Sequence, residues 1–289
     1  MNYAAHDHLI AAARRRPAIW RLILGLALVF AVIVALISVV MAFYEVTGRG
    51  ASRISANGDT PKSTFLMLAS FSLMYPGLWI ALHFLHKRRL RSLFGAAGAF
   101  WHAVWRTVPI TIALYIAGLI LTGFDFDAPK PALPLAIWLK WLAPALVALA
   151  IQVTAEELIV RGYIQSQLAA RFRSPLVWLV LPALLFAGLH YNPSEAGANA
   201  PWLLLPPLAF GLLAADLTAR GGNLGPAIAI HFINNFAAIF LIAPMGMLSG
   251  LALYRLPVEL SDPAMLDTLP VELAFLFILW LCVRLALRK

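Results

Sequence analysis

The sequence predicts an all-α polytopic integral membrane protein of about eight transmembrane helices, forming one domain over residues 1–289. Three observations predict it. Of the 289 residues, 62% are hydrophobic and 12% charged, with a mean hydropathy of +0.84; a soluble domain carries about 25% charged residues. The apolar residues fall into runs that approach the ~20 needed to cross a bilayer. The basic residues cluster in short segments between those runs.

The first apolar run lies near 18–44 and follows Arg14-Arg15-Arg16. It is too long for a signal-peptide core, so no cleavable signal is expected. A polar loop with Gly48, Gly50, Asn57, Gly58 and Pro61 leads to a second span near 64–85, which ends at the basic segment Lys87–Arg91. Residues 92–105, with Trp101 and Trp105, read as interfacial before a third span near 106–123. The segment from Asp125 to Pro134 is a loop, and Trp138, Lys140 and Trp141 approach a fourth span beginning about Pro144 and turning at Arg171, Arg173 and Pro175. The remaining spans lie near 175–190, 201–218, 225–245 and 269–286. Gly221-Gly222-Asn223 stops the sixth.

Alternating the sides gathers Arg14–Arg16, Arg21, Lys87–Arg89, Arg91, Arg106, Arg171, Arg173, Arg220, Arg288 and Lys289 on one face. Glu45, Asp59, Asp125, Asp127, Glu195, Glu259, Asp262 and Asp267 fall on the other. The positive-inside rule then puts both termini in the cytoplasm of a multi-pass cell membrane protein. The net charge of +9 is accounted for by these segments, and no nucleic-acid partner is expected. The single cysteine, Cys282, lies in the last apolar run and is read as a small packing residue.

One stretch does not fit a plain span. Glu156, Glu157 and Arg161 lie within six residues of the fourth run, although each charge at a helix centre costs roughly 2.5–3.5 kcal/mol on insertion scales. Adjacent helical residues point about 100° apart. Glu157 and Arg161, at i and i+4, can pair, which leaves Glu156 freer to act. His190 ends the fifth run, and His231 and Asn235 share a face of the seventh. Glu156 lies fifteen residues before Arg171 and His190 fifteen after Pro175; both sit roughly 22 Å from that turn at 1.5 Å per residue. The fourth and fifth spans therefore form a hairpin in which Glu156 faces His190, with His231 able to converge on them. The cluster reads as reached from the cytoplasmic side.

Such a set can activate a water, with Glu156 as base and Asn235 as a donor to a developing oxyanion. It can equally hold a divalent metal such as zinc, with Glu156, His190 and His231 as candidate ligands. Elsewhere, Asp216 and Arg220 read as a surface pair, His83 and His86 as interfacial, and His6 and His8 as part of a disordered tail.

Glu156-Glu157-x-x-x-Arg161, Phe186-x-x-x-His190 and His231-x-x-x-Asn235, in this order on separate apolar helices, closely resemble the motifs of the CPBP family. Its members are CAAX prenyl proteases and bacteriocin-processing intramembrane proteases related to the type II CAAX endopeptidase, many of them bacterial. The resemblance covers about 141–245. It implies an eight-helix fold and an endopeptidase that cuts a membrane-anchored, CAAX-type protein or peptide within the lipid bilayer. It also implies that Glu156 activates water, that Glu157 and Arg161 support it, and that His190, His231 and Asn235 complete the site. The family is called metalloprotease by convention, and a metal-free glutamate mechanism has also been argued.

Two other classes remain beside it. A non-catalytic scaffold or bacteriocin-immunity factor would keep its phenotype when Glu156 or His231 is replaced by alanine. A cation or proton carrier would need a polar route to both sides, and the sequence offers polar groups on one side of the cluster only.

Overall fold

The computed structural model describes residues 3–47, 57–121 and 129–287. The loop positions Gly48 and Gly50, the acidic Asp125 and Asp127, and the terminal Arg288 and Lys289 lie outside them, as does the side chain of Glu45. Eight apolar helices follow in the expected order: α1 (Ile19–Val46), α2 (Pro61–His86), α3 (Ala97–Leu121), α4 (Leu135–Arg171), α5 (Pro175–Gly188), α6 (Trp202–Gly221), α7 (Gly225–Leu241) and α8 (Ala264–Ala286). The chain is an all-α multi-pass membrane protein. Among the described residues six of these helices are long and apolar enough to cross a bilayer; α5 adds a seventh if it is joined, across a 61° bend, to Pro193–Asn199.

The two short helices have local causes. The 14 residues of α5 reach only about 21 Å, against a hydrocarbon core of ~30 Å. The chain then turns through Leu189 and His190, and Pro193 opens the next short helix, where its missing N–H costs nothing. The helix α7 stops where Ile242 adopts an extended conformation.

Several boundaries differ from the sequence reading. The helix α3 begins at Ala97, so Trp101 and Trp105 ride on the span itself. The helix α4 begins at Leu135, with Pro144 inside it. Proline removes one helix hydrogen bond, but in an apolar medium every remaining backbone group is still best satisfied by continuing the helix. The loops also hold a small sheet the sequence reading did not anticipate. Strands β1 (Lys130–Pro131), β2 (Ile242–Met245) and β3 (Tyr254–Glu259) lie in the order β1-β3-β2, with β3 antiparallel to β1 and parallel to β2.

The polar groups outside the central cluster are more ordered than expected. His86 is buried, and its Nε2 lies 2.8 Å from the Tyr163 hydroxyl. Glycine is required at Gly25 because a Cβ there would collide with that hydroxyl. Asp216 is no surface group. It accepts hydrogen bonds from Tyr3 (2.7 Å), Arg220 Nε (2.7 Å) and Trp280 Nε1 (2.9 Å).

The segment before α1 is likewise not a disordered tail. His6–Ile10 is helical, with His6, Leu9 and Ile10 buried. The arm lies over the α6–α7 turn, where Gly222 (φ 63°) leaves room for the Ala5 carbonyl. The His6 ring packs 4.9 Å from that of Trp178. Burial is the main force on His6, lowering its pKa from 6.5 to about 4. A histidine docked in its neutral form is opposed by the charged form of the released arm, so docking weakens as pH falls from about 6.5 towards 4. Trp178 fluorescence, taken against Trp178→Phe, is therefore expected to change across that window, and the change should vanish in His6→Phe. A signal constant from pH 7 to 4 would contradict this packing.

Candidate active site

The site is assembled on α4 and α7, with aromatic walls from α5 and α6. Gln152, Glu156, Glu157 and Arg161 lie on successive turns of α4. Directly after Glu157 the helix widens into a π-helical segment, Leu158–Gln165. Such widenings occur often at functional sites, and nothing in the sequence signalled this one.

Glu157 and Arg161 are both wholly buried. Arg161 Nη1 donates to Glu157 Oε1 at 2.8 Å. The guanidinium carbon sits 4.5 Å from the Phe186 ring centroid and 5.3 Å from that of Phe210, so π faces replace part of its hydration. Gly211 brings its carbonyl to 3.5 Å from Arg161 Nη2. The same glycine lets α6 approach α5 closely, because a Cβ on it would lie 2.9 Å from that of Ala183.

His231 joins the two glutamates. Its Nδ1 lies 2.8 Å from Glu157 Oε1. A carboxylate there accepts the Nδ1–H and so sets the tautomer. The other ring nitrogen, Nε2, then faces Glu156 Oε2 at 3.6 Å. Phe210 packs on the imidazole at 4.9 Å, and Phe186 meets it edge-on at 5.9 Å. Glu156 Oε2 is buried without a hydrogen-bond partner. The result is a connected series, Arg161–Glu157–His231–Glu156, that ends on an unsatisfied carboxylate oxygen.

The amide side of the site comes from the next turn of α7. Asn235 Nδ2 donates to Gln152 Oε1 at 3.2 Å, and Asn234 Nδ2 to Asn235 Oδ1 at 3.3 Å. Tyr115 of α3 closes this edge, its hydroxyl donating to Asn234 Oδ1 at 2.5 Å. Sequence reasoning missed Gln152 and Tyr115 as partners. The i−4 spacing of Gln152 from Glu156 was a usable signal; Tyr115 had none.

His190 is placed differently from the sequence reading. The contact of Glu156 is with His231, and His190 lies at the rim. It is exposed, its Nδ1 is 2.8 Å from the Phe186 carbonyl, and its ring packs 4.6 Å from that of Phe186. Phe186 thus touches His190, His231 and Arg161 together. The exposed rim, Leu189 to Tyr191, follows the end of α5 remote from Arg171 and Arg173. The sequence reading placed entry at the opposite, basic end.

Among the described residues no three His, Cys, Asp or Glu side chains come together as a set able to hold a metal ion. His231 Nδ1 is committed to Glu157, and only its Nε2 and Glu156 Oε2 approach each other. A zinc centre with three protein ligands does not fit this arrangement.

Residues 138–237 match the family model described as type II CAAX prenyl endopeptidase Rce1-like. A Bacillus subtilis (strain 168) protein described as uncharacterized protein YyaK is 25% identical over 185 residues, covering 61% of this chain and 60% of the relative. The chain thus spans about three-fifths of the length of that curated relative. No solved structure gives a significant match. The matched segment contains every charged and amide group that α4 and α7 bring together, and over that segment the chain is similar to the Rce1-like, type II CAAX prenyl endopeptidase family.

Proposed function

We propose that the protein is an intramembrane endopeptidase that hydrolyses a peptide bond of a membrane-anchored, CAAX-type protein or peptide. The observation that carries this is Glu156 Oε2, buried, unpartnered and 3.6 Å from His231 Nε2. With Nδ1–H held by Glu157, Nε2 offers a lone pair. One water can give its hydrogens to Nε2 and Glu156 while its oxygen faces the scissile carbonyl.

Glu156 takes the proton as the water oxygen bonds to the carbonyl carbon. An oxyanion forms, and Asn235 is suited to meet it, since its amide has two hydrogens and Gln152 takes one. Collapse breaks the C–N bond, and Glu156 returns the proton to the leaving amine. Glu157 and Arg161 do not touch substrate; they position His231. The family match supports the protease reading.

The experiment compares the membrane proteome of cells carrying the wild-type protein or Glu156→Ala. An uncleaved, membrane-anchored precursor is expected in the variant. Identical proteomes, with the variant inserted at normal abundance, would refute the reading.

The basic end is proposed to be cytoplasmic, by the positive-inside rule, with substrate entering past His190. In a Cys282→Ser background, Tyr191→Cys is expected to react with a membrane-impermeant thiol reagent from the side opposite to Arg173→Cys. Labelling of both from one side would overturn this topology.

A further inference from the structure

A second polar site lies outside the catalytic cluster, at the basic end. The N-terminal arm, the α2–α3 connection and the α6–α7 turn line an open cavity of about 1580 Å³. Arg15, Lys87, Arg88, Arg89 and Arg91 line it, and none of its lining residues is acidic. Arg15, Lys87, Arg89 and Arg91 are exposed and pair with no carboxylate among the described residues. Asp7, the acidic group of the arm, pairs with Arg14 instead.

Two further features point to an anion. Arg88 is only 5% exposed; its Nη1 donates to Ser166 Oγ at 3.0 Å, while Nε and Nη2 have no hydrogen-bond partner. A buried guanidinium with free donors needs a counter-charge. The 25-residue helix α3 also opens into the cavity, with Ala96, Ala97 and Ala99 on its wall. The positive end of its dipole therefore lies at the cavity wall. Trp101, 56% exposed, stands at the mouth, as an aromatic side chain does at a headgroup–hydrocarbon boundary.

We propose that this cavity binds the phosphate headgroup of an anionic phospholipid from the leaflet at the basic end, with its acyl chains lying along the exposed face of α3. The chemistry recognised is a phosphate: several guanidinium donors match its oxygens and its charge, and basic pockets between membrane helices are suited to such headgroups. The exposed tryptophan and the apolar face beside it favour a lipid over a free ion.

The test uses the purified full chain in a neutral detergent, titrated with phosphatidylglycerol or phosphatidylcholine and followed by native mass spectrometry. Phosphatidylglycerol is expected to bind at least tenfold more tightly. Each surface arginine removed is expected to cost about fivefold, so Arg89→Ala with Arg91→Ala should lose about 25-fold. Lys140→Ala, far from the cavity, should lose nothing. Both arginines of the double variant are exposed, so folding is not at stake, and thermal unfolding in the same detergent checks it. Equal binding of the two lipids, or an unchanged double variant, would overturn the proposal. So would displacement of phosphatidylglycerol by millimolar inorganic phosphate, which would assign the cavity to a free anion.

Discussion

Glu156→Gln is expected to lower the cleavage rate by about 10²–10⁴-fold, the range that a positioned general base supplies, while leaving the thermal unfolding of the protein unchanged. The two halves of this expectation have separate origins. Glutamine keeps the volume of the side chain but cannot take a proton from water. Glu156 also contributes little to holding the fold, because its Oε2 has no hydrogen-bond partner and stands 3.6 Å from His231. Cleavage of a prenylated reporter by the purified protein in liposomes, with a melting curve on the same sample, checks both halves. A variant that cleaves at the wild-type rate, or that loses its fold in proportion to its activity, would contradict the role given to Glu156.

Arg161→Met is expected to have the opposite profile. Removing one member of a buried ion pair strands the other charge, at a cost of about 3–5 kcal/mol. Glu157 would then be fully buried with a single donor, His231. The cation–π contacts with Phe186 and Phe210 would go as well. A denaturing-detergent titration should show the loss. The informative companion is Glu157→Leu with Arg161→Met, which removes both charges and is expected to recover most of the stability. Activity should not return with it, because His231 Nδ1 has lost the acceptor that fixes its tautomer. Recovery of both together would mean that the pair serves the fold alone.

What the sequence made legible was whatever a single helix encodes. The i,i+4 spacing of Glu157 and Arg161 gave their pairing, and the spacing of His231 and Asn235 gave their common edge, because helical periodicity fixes those relations without tertiary information. The equal distance of Glu156 and His190 from the Arg171–Pro175 turn correctly described a hairpin, since α4 continues to Arg171. It did not determine side-chain facing. A rotation of one helix sends Glu156 to His231 and leaves His190 at the rim, and depth arithmetic carries no azimuth. The π-helical segment after Glu157 shifts the azimuth of all that follows it, and its hydrogen bonds depend on packing rather than composition.

Other features were hidden for related reasons. Tyr115 reaches Asn234 from a helix more than a hundred positions away, with no charge or motif to mark it. The arm before α1 was read as a disordered tail. Its order comes from a few long-range contacts, Tyr3 with Asp216 and His6 with Trp178, that no local pattern foreshadows. The strands are too short for alternation to register, with only two, four and six residues.

The central claim is that Glu156 and His231 act on one water, and a double-mutant comparison tests it most directly. Cleavage rates would be measured for Glu156→Gln, His231→Ala and the two combined, in liposomes with one reporter. Groups that share a single water fail together, so the combined variant should cleave no more slowly than the slower single variant. Losses that multiply would show two independent contributions and contradict the shared-water site.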